Sequence, residues 1–193
     1  MRRTFRTLLL LSAPLLLIGC ASTRITSSWA DPRASGFKPK SAMVLVISPN
    51  EVTRRSGEDE LAGLLPGLHA APAYRLLTEP VLKDKDATMK ALKAKGVDAV
   101  ILLRFAGVQR ELNWAPGMYP TFWGYYRWAW AESPAWAWTD TTVWTEVRVY
   151  QVSTDKLVWA GVFRTFDPKS PEDAIAQVAR SAAEALQKAG LAS

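Results

Sequence analysis

Few side chains in this 193-residue chain have the types and spacing that covalent chemistry needs. Acyl transfer wants a nucleophile beside a base. The chain has one histidine, His69, set in the turn-rich stretch Pro66-Gly67-Leu68-His69-Ala70-Ala71-Pro72. No Gly-x-Ser-x-Gly elbow is present, so His69 reads as a surface-loop residue. Metal sites need His, Cys or carboxylates at ligand spacing, and no such cluster occurs. Glu58, Asp59 and Glu60 adjoin one another, but beside Arg54 and Arg55 they read as a solvated, charge-paired helix face. A glycine-rich phosphate loop is also missing. The expectation is a protein that is not an enzyme, with no catalytic residue, no metal and no cofactor.

The residues best suited to binding lie in an aromatic burst. Between Trp114 and Trp138 stand Trp114, Tyr119, Phe122, Trp123, Tyr125, Tyr126, Trp128, Trp130, Trp136 and Trp138, with Arg127 and Glu132 as the charged residues among them. Prolines and glycines break any single regular element there, while Trp128/Trp130 and Trp136/Trp138 keep the period of two that strand faces show. A protruding hairpin or folded flap is expected, its tip near Glu132-Ser133-Pro134. Three readings stand. The rings pack on one another and cover the sheet. Alternatively, Trp123, Tyr125, Tyr126, Trp128, Trp130, Trp136 and Trp138 form an exposed patch for an envelope protein or the bilayer interface. In the third reading, the same rings stack on sugars of peptidoglycan or lipopolysaccharide. Each ring buries about 150–250 Å², so even four left bare exceed what a monomer tolerates.

Cys20 carries the other chemical signal. Met1 to Arg6 holds three arginines and no acid, Leu8 to Ile18 is an apolar run broken at Pro14, and Leu17-Ile18-Gly19-Cys20 closes it. A basic start, a short apolar middle and small residues at the cut make a secretory signal. The run is too short for a spanning helix, which needs roughly 20 residues. The cut site resembles the lipobox of bacterial lipoproteins, whose cysteine is lipidated and becomes the mature N-terminus. That resemblance implies a membrane anchor at Cys20. With Ala21 and Ser22 following and no Asp, it further implies sorting to the outer membrane of a Gram-negative cell, with the domain facing the periplasm.

Removing 19 residues leaves 174, enough for one domain with a core of its own. The net charge of +6 falls to +3 once Arg2, Arg3 and Arg6 are lost, and the charges are scattered, which argues against nucleic acid as a partner. With Cys20 lipidated no thiol remains, so stability must come from packing without disulfides.

The elements that must position these residues follow from pattern. Residues 20–40, polar and broken by Pro32, Gly36 and Pro39, read as the lipidated N-terminus and a tether, in which Trp29 could dock. Residues 41–193 read as one domain with an aromatic insertion at 113–140. Ala42 to Ile47 is a buried strand, Asn50 to Leu65 a helix, Tyr74 to Leu77 a short strand, and Asp86 caps a helix to Lys95. Val97 to Phe105 is a second buried strand, extendable through Val108 to Leu112. Thr141 to Gln151 alternates, with Val143, Val147 and Val149 opposite Trp144, Glu146, Arg148 and Tyr150, and it pairs with Lys156 to Arg164. Ser170 caps a closing helix with Pro171 at its first position. The order predicts an α/β (α+β) fold: a single mixed sheet, helices mainly on one face, and a long antiparallel hairpin.

Ser28-Trp29-Ala30-Asp31-Pro32, Val44-Leu45-Val46-Ile47, Arg54-Arg55 with Glu58-Asp59 and Leu61, the hairpin Val149-Tyr150 to Lys156-Leu157-Val158-Trp159, and Phe166-Asp167-Pro168 together resemble the DUF4136-like group of uncharacterised bacterial lipoproteins. The likeness spans roughly residues 20 to 190. It implies an anchored periplasmic α/β domain and no catalytic residue.

Overall fold

The computed structural model describes residues 23–115 and 136–192, with the backbone alone at 113–115 and 136–138. Its strands are β1 (Thr23–Ala30), β2 (Ala42–Ile47), β3 (Ala70–Pro72), β4 (Ala99–Ala115), β5 (Trp136–Gln151) and β6 (Lys156–Phe166). Its helices are α1 (Glu51–Gly63), α2 (Ala73–Leu76), α3 (Glu79–Leu82), α4 (Lys85–Ala94) and α5 (Pro171–Lys188). The strands form one mixed sheet in the order β1-β6-β5-β4-β2-β3. The expected α+β architecture is therefore the observed one.

Parallel pairing joins β3, β2 and β4, and antiparallel pairing joins β4, β5, β6 and β1. The chain leaves β2 for β3 on one side, then passes back to β4 on the other. Right-handed crossovers in opposite directions put their helices on opposite faces. Packing agrees. On one face Ala42, Val44 and Val46 of β2, with Ile101, Leu103 and Val147, meet Leu61 of α1 and Ile175, Val178 and Leu186 of α5. On the other, Met43 packs with Ala73, Leu77 and Leu92 beneath the short helices.

Local chemistry sets the ends of these helices. Asn50 accepts from the Thr53 amide at 3.0 Å to start α1, and Ser170 accepts from the Asp173 amide at 3.1 Å to start α5. The stripe Ala174, Ile175, Val178, Ala179, Ala182 and Leu186 is buried as its helical spacing requires. Gly57 sits where α1 crosses the core: a Cβ there would lie 2.8 Å from Ile175 Cγ2 and 3.3 Å from Val46 Cγ2. Its cost in helix propensity is offset by that close approach.

Four expectations need correction. The stretch from Ala21 to Lys40 is not a tether throughout, because Thr23–Ala30 is a strand on β6 and Pro32–Ala34 a 3-10 turn. Trp29 does not dock inward; it is 48% exposed. Tyr74 to Leu77 is not a strand: Ala73–Leu76 form one helical turn, and the strand is Ala70–Pro72 just before it. The helix before β4 is capped by Asp84, which accepts from the Ala87 amide at 2.8 Å, two residues earlier than expected.

Candidate functional site

Strand direction gathers the informative parts of the chain at one end of the sheet. β4 and β5 stay paired to Ala115↔Trp136, whereas β6 stops at Phe166, opposite Thr142. Six further rungs, from Arg110↔Thr141 to Ala115↔Trp136, therefore form a two-stranded arm with no third strand among the described residues. At about 3.3 Å per residue the arm projects roughly 20 Å. Of the two tryptophan pairs with strand spacing, Trp136/Trp138 lies in β5, and Trp128/Trp130 falls outside the described residues. The register shift between Phe105 and Gly107 lies near the base of the arm, where bulges turn and twist a strand.

β1 begins at the same end. Thr23, Thr165, Val143 and Val108 share one row across four strands. Thr23 is buried, its Oγ1 2.7 Å from Thr165 Oγ1, and it donates to Gln177 Oε1 of α5 at 3.2 Å. Cys20 precedes it by three residues, a reach of at most about 11 Å even when extended. An anchor at Cys20 is thus held to this end of the domain, beside the arm.

Where the arm leaves the sheet, a groove of about 410 Å³ opens between it and the start of α5. Phe105, Val108, Val143 and Ala174 make its apolar lining, with Arg110 and Lys169 among the residues around it. Val108 is 60% and Leu112 56% exposed. Leu112 lies on the two-stranded arm and Val108 at its base, opposite Val143.

The carboxylate cluster is not what its sequence suggests. Glu58 is fully buried. Its Oε1 accepts from the Val46 amide and from Arg54 Nη1, both at 3.4 Å, and its Oε2 accepts from the Tyr74 amide at 3.2 Å. Burial raises its pKa, opposed by the amides of Tyr74 and Val46 and by Arg54. It links α1, β2 and α2, which is a structural role. Asp59 and Glu60 do stand on the solvated side, paired with Arg75 at 2.9 Å and Arg180 at 3.7 Å. The signal was available: Glu58, Leu61, Ala62 and Leu65 share one helical face.

His69 lies exposed in its turn, at a left-handed φ of 40°. Among the described residues no group of His, Cys, Asp or Glu could hold a metal, and no helix is long and apolar enough to cross a membrane. Cys20, Trp123, Tyr125, Tyr126, Trp128 and Trp130 lie outside the described residues. Trp136 and Trp138 are placed by backbone alone, in β5 opposite Ala115 and Asn113.

No family model matches the chain, and no curated protein matches it. Among solved structures, the PelC dodecamer from Paraburkholderia phytofirmans is similar at 14% identity and a TM-score of 0.46, over 89% of this chain and 98% of that one. A PelC L103M dodecamer from the same organism has 16% identity and a TM-score of 0.44, over 83% and 94%. Lipoprotein GNA1162 from Neisseria meningitidis has 18% identity and a TM-score of 0.35, over 64% and 78%. Likenesses this distant say nothing about activity or partners.

Proposed function

We propose that this chain is a non-enzymatic lipoprotein, anchored through Cys20 to the periplasmic face of the outer membrane. Its aromatic-tipped arm makes contact with envelope components at that membrane, either a protein partner or the bilayer interface. The observation that carries the reading is the shared end: β1 begins three residues after Cys20, in the row of the sheet from which the arm departs. Trp and Tyr favour the headgroup zone, and a short leash keeps the arm there. The alternative, a glycan-binding module stacking the same rings on peptidoglycan or lipopolysaccharide, is less favoured for the sacculus. An arm beside the anchor is directed at the anchoring membrane.

Cys20→Ala tests the anchor. Loss from the outer-membrane fraction is expected, and unchanged fractionation overturns it. Trp128→Ala combined with Trp136→Ala tests the arm. The pair should leave the unfolding midpoint in place and weaken envelope association, whereas unfolding of the domain makes these rings core cover instead. Pull-down of the parent on purified sacculi, abolished by the same pair, is the outcome that shifts the reading to glycan.

A further inference from the structure

The outer face of β5, β6 and β1 is covered by no helix or strand among the described residues, and its anchored end holds an unusual charge pair. Thr23 and Thr165 are buried toward α5, so their strand neighbours Arg24 and Arg164 point to the opposite, bare face. The two arginines are direct partners in the β1–β6 register. Like charges directly opposite one another destabilise a sheet. Among the described residues no carboxylate pairs with either.

The next charged row on that face is built differently. There Glu146 lies 3.1 Å from Arg104 and 2.9 Å from Arg148, one carboxylate between two guanidiniums. The Arg24/Arg164 row has no such carboxylate; it continues into half-buried Trp144, opposite Gly107. Phe166, 41% exposed, stands on the same face two residues beyond Arg164. Two uncompensated guanidiniums beside aromatic surface make a site for an anionic group at a polar–apolar boundary. Phosphate oxygens fit the guanidinium fork.

We propose that Arg24 and Arg164 bind the phosphate of anionic phospholipid headgroups in the leaflet that holds the anchor. The occupant follows from charge complementarity and from where the chain ends. Arg24 is four residues from Cys20, so no more than about 14 Å of extended chain separates the pair from the acylated residue. This deepens the anchoring reading and rests on it for the source of the headgroups.

Residues 20–193 with Cys20→Ser contain every described element. This chain should co-sediment with phosphatidylglycerol vesicles in preference to phosphatidylcholine vesicles at low salt. An arginine at the membrane surface contributes about fivefold, so Arg24→Gln with Arg164→Gln should lower the phosphatidylglycerol affinity about 25-fold. Arg24→Lys with Arg164→Lys should restore most of it. Lys93→Gln with Lys95→Gln removes the same charge at the opposite end of the sheet and should change affinity less than twofold. Equal binding to both vesicles, or an equal loss in the two Gln pairs, overturns the proposal. Mass spectrometry of the native N-terminal peptide separates the two readings. A lipidated Cys20 without vesicle preference overturns the headgroup contact and leaves the anchor. An unmodified Cys20 with the preference intact overturns the anchor and supports the contact.

Discussion

The two halves of the sheet are built to different rules. The parallel half, β3-β2-β4, is packed on both faces, and its paired stretches Ala42–Ile47 and Ala99–Leu103 carry no polar residue. Its buried carboxylate is satisfied by two backbone amides and an arginine. In the antiparallel half, β5-β6-β1, one face lies under the small residues of α5, while the other carries charged side chains and has no covering element among the described residues. The edge strand β1 is exposed along all but its first residue. The division teaches that one core runs across both halves, with Val147, Trp159 and Phe163 joining Val44, Val46 and Leu103, while the second layer of packing is confined to the parallel half. The arm extends the strand pair at the junction between them.

The sharpest break should come from the parallel half. Glu58→Ala leaves the Val46 and Tyr74 amides and Arg54 without their buried acceptor, and about 3–5 kcal/mol of stability should disappear in a urea titration. Next comes Gly57→Ala, where the added methyl drives into Ile175; about 1–3 kcal/mol is expected. A smaller effect of opposite sign should come from β5. Thr145 Oγ1 is buried with no hydrogen-bond partner, so Thr145→Val should raise stability by about 1 kcal/mol.

The smallest effect is the most diagnostic, because the two halves should respond to pH in opposite senses. Burial raises the pKa of Glu58, so the folded state holds that proton more tightly than the unfolded chain. Its contribution is greatest in acid and declines as pH rises through the raised value. Glu146 is lowered, first by its hydrogen bond from Arg104 and then by Arg148, so its contribution is present above the ordinary carboxylate range and is lost on acidification. Glu146 is partly exposed, which limits that contribution to a few tenths of a kcal/mol. Glu58→Gln should therefore flatten the stability–pH curve above the ordinary carboxylate range, and Glu146→Gln should flatten it in the opposite sense below that range. Parallel shifts would erase the distinction between the halves.

Much of this architecture was legible. The unbroken run Ala42–Ile47 announced a doubly covered strand, Ser170-Pro171 announced the start of α5, and the alternation after Thr141 announced a one-sided strand. β1 was not legible, because an edge strand with little burial has no hydrophobic alternation to display; Arg24, Thr26, Ser27 and Ser28 read as linker. Tyr74-Arg75-Leu76-Leu77 misled because four residues are too few for any period to register. Glu58 was hidden by its neighbours: three carboxylates in sequence suggest solvent, although only the first falls on the face of Leu61 and Leu65. The arm end of the molecule was half legible. Aromatic composition marked the insertion, but the position of the proposed anchor beside it depends on the direction of β1, which no local pattern encodes.

That direction also governs how the domain bears force. Interstrand hydrogen bonds run perpendicular to the strands, and β1 runs from Thr23 along β6 for its whole length. Traction on Cys20 away from the domain pulls β1 along its own axis, so the rungs resist together in shear rather than opening one at a time as in a zipper. A lipid tether joined to the far end, at Ala30, would peel the strand away.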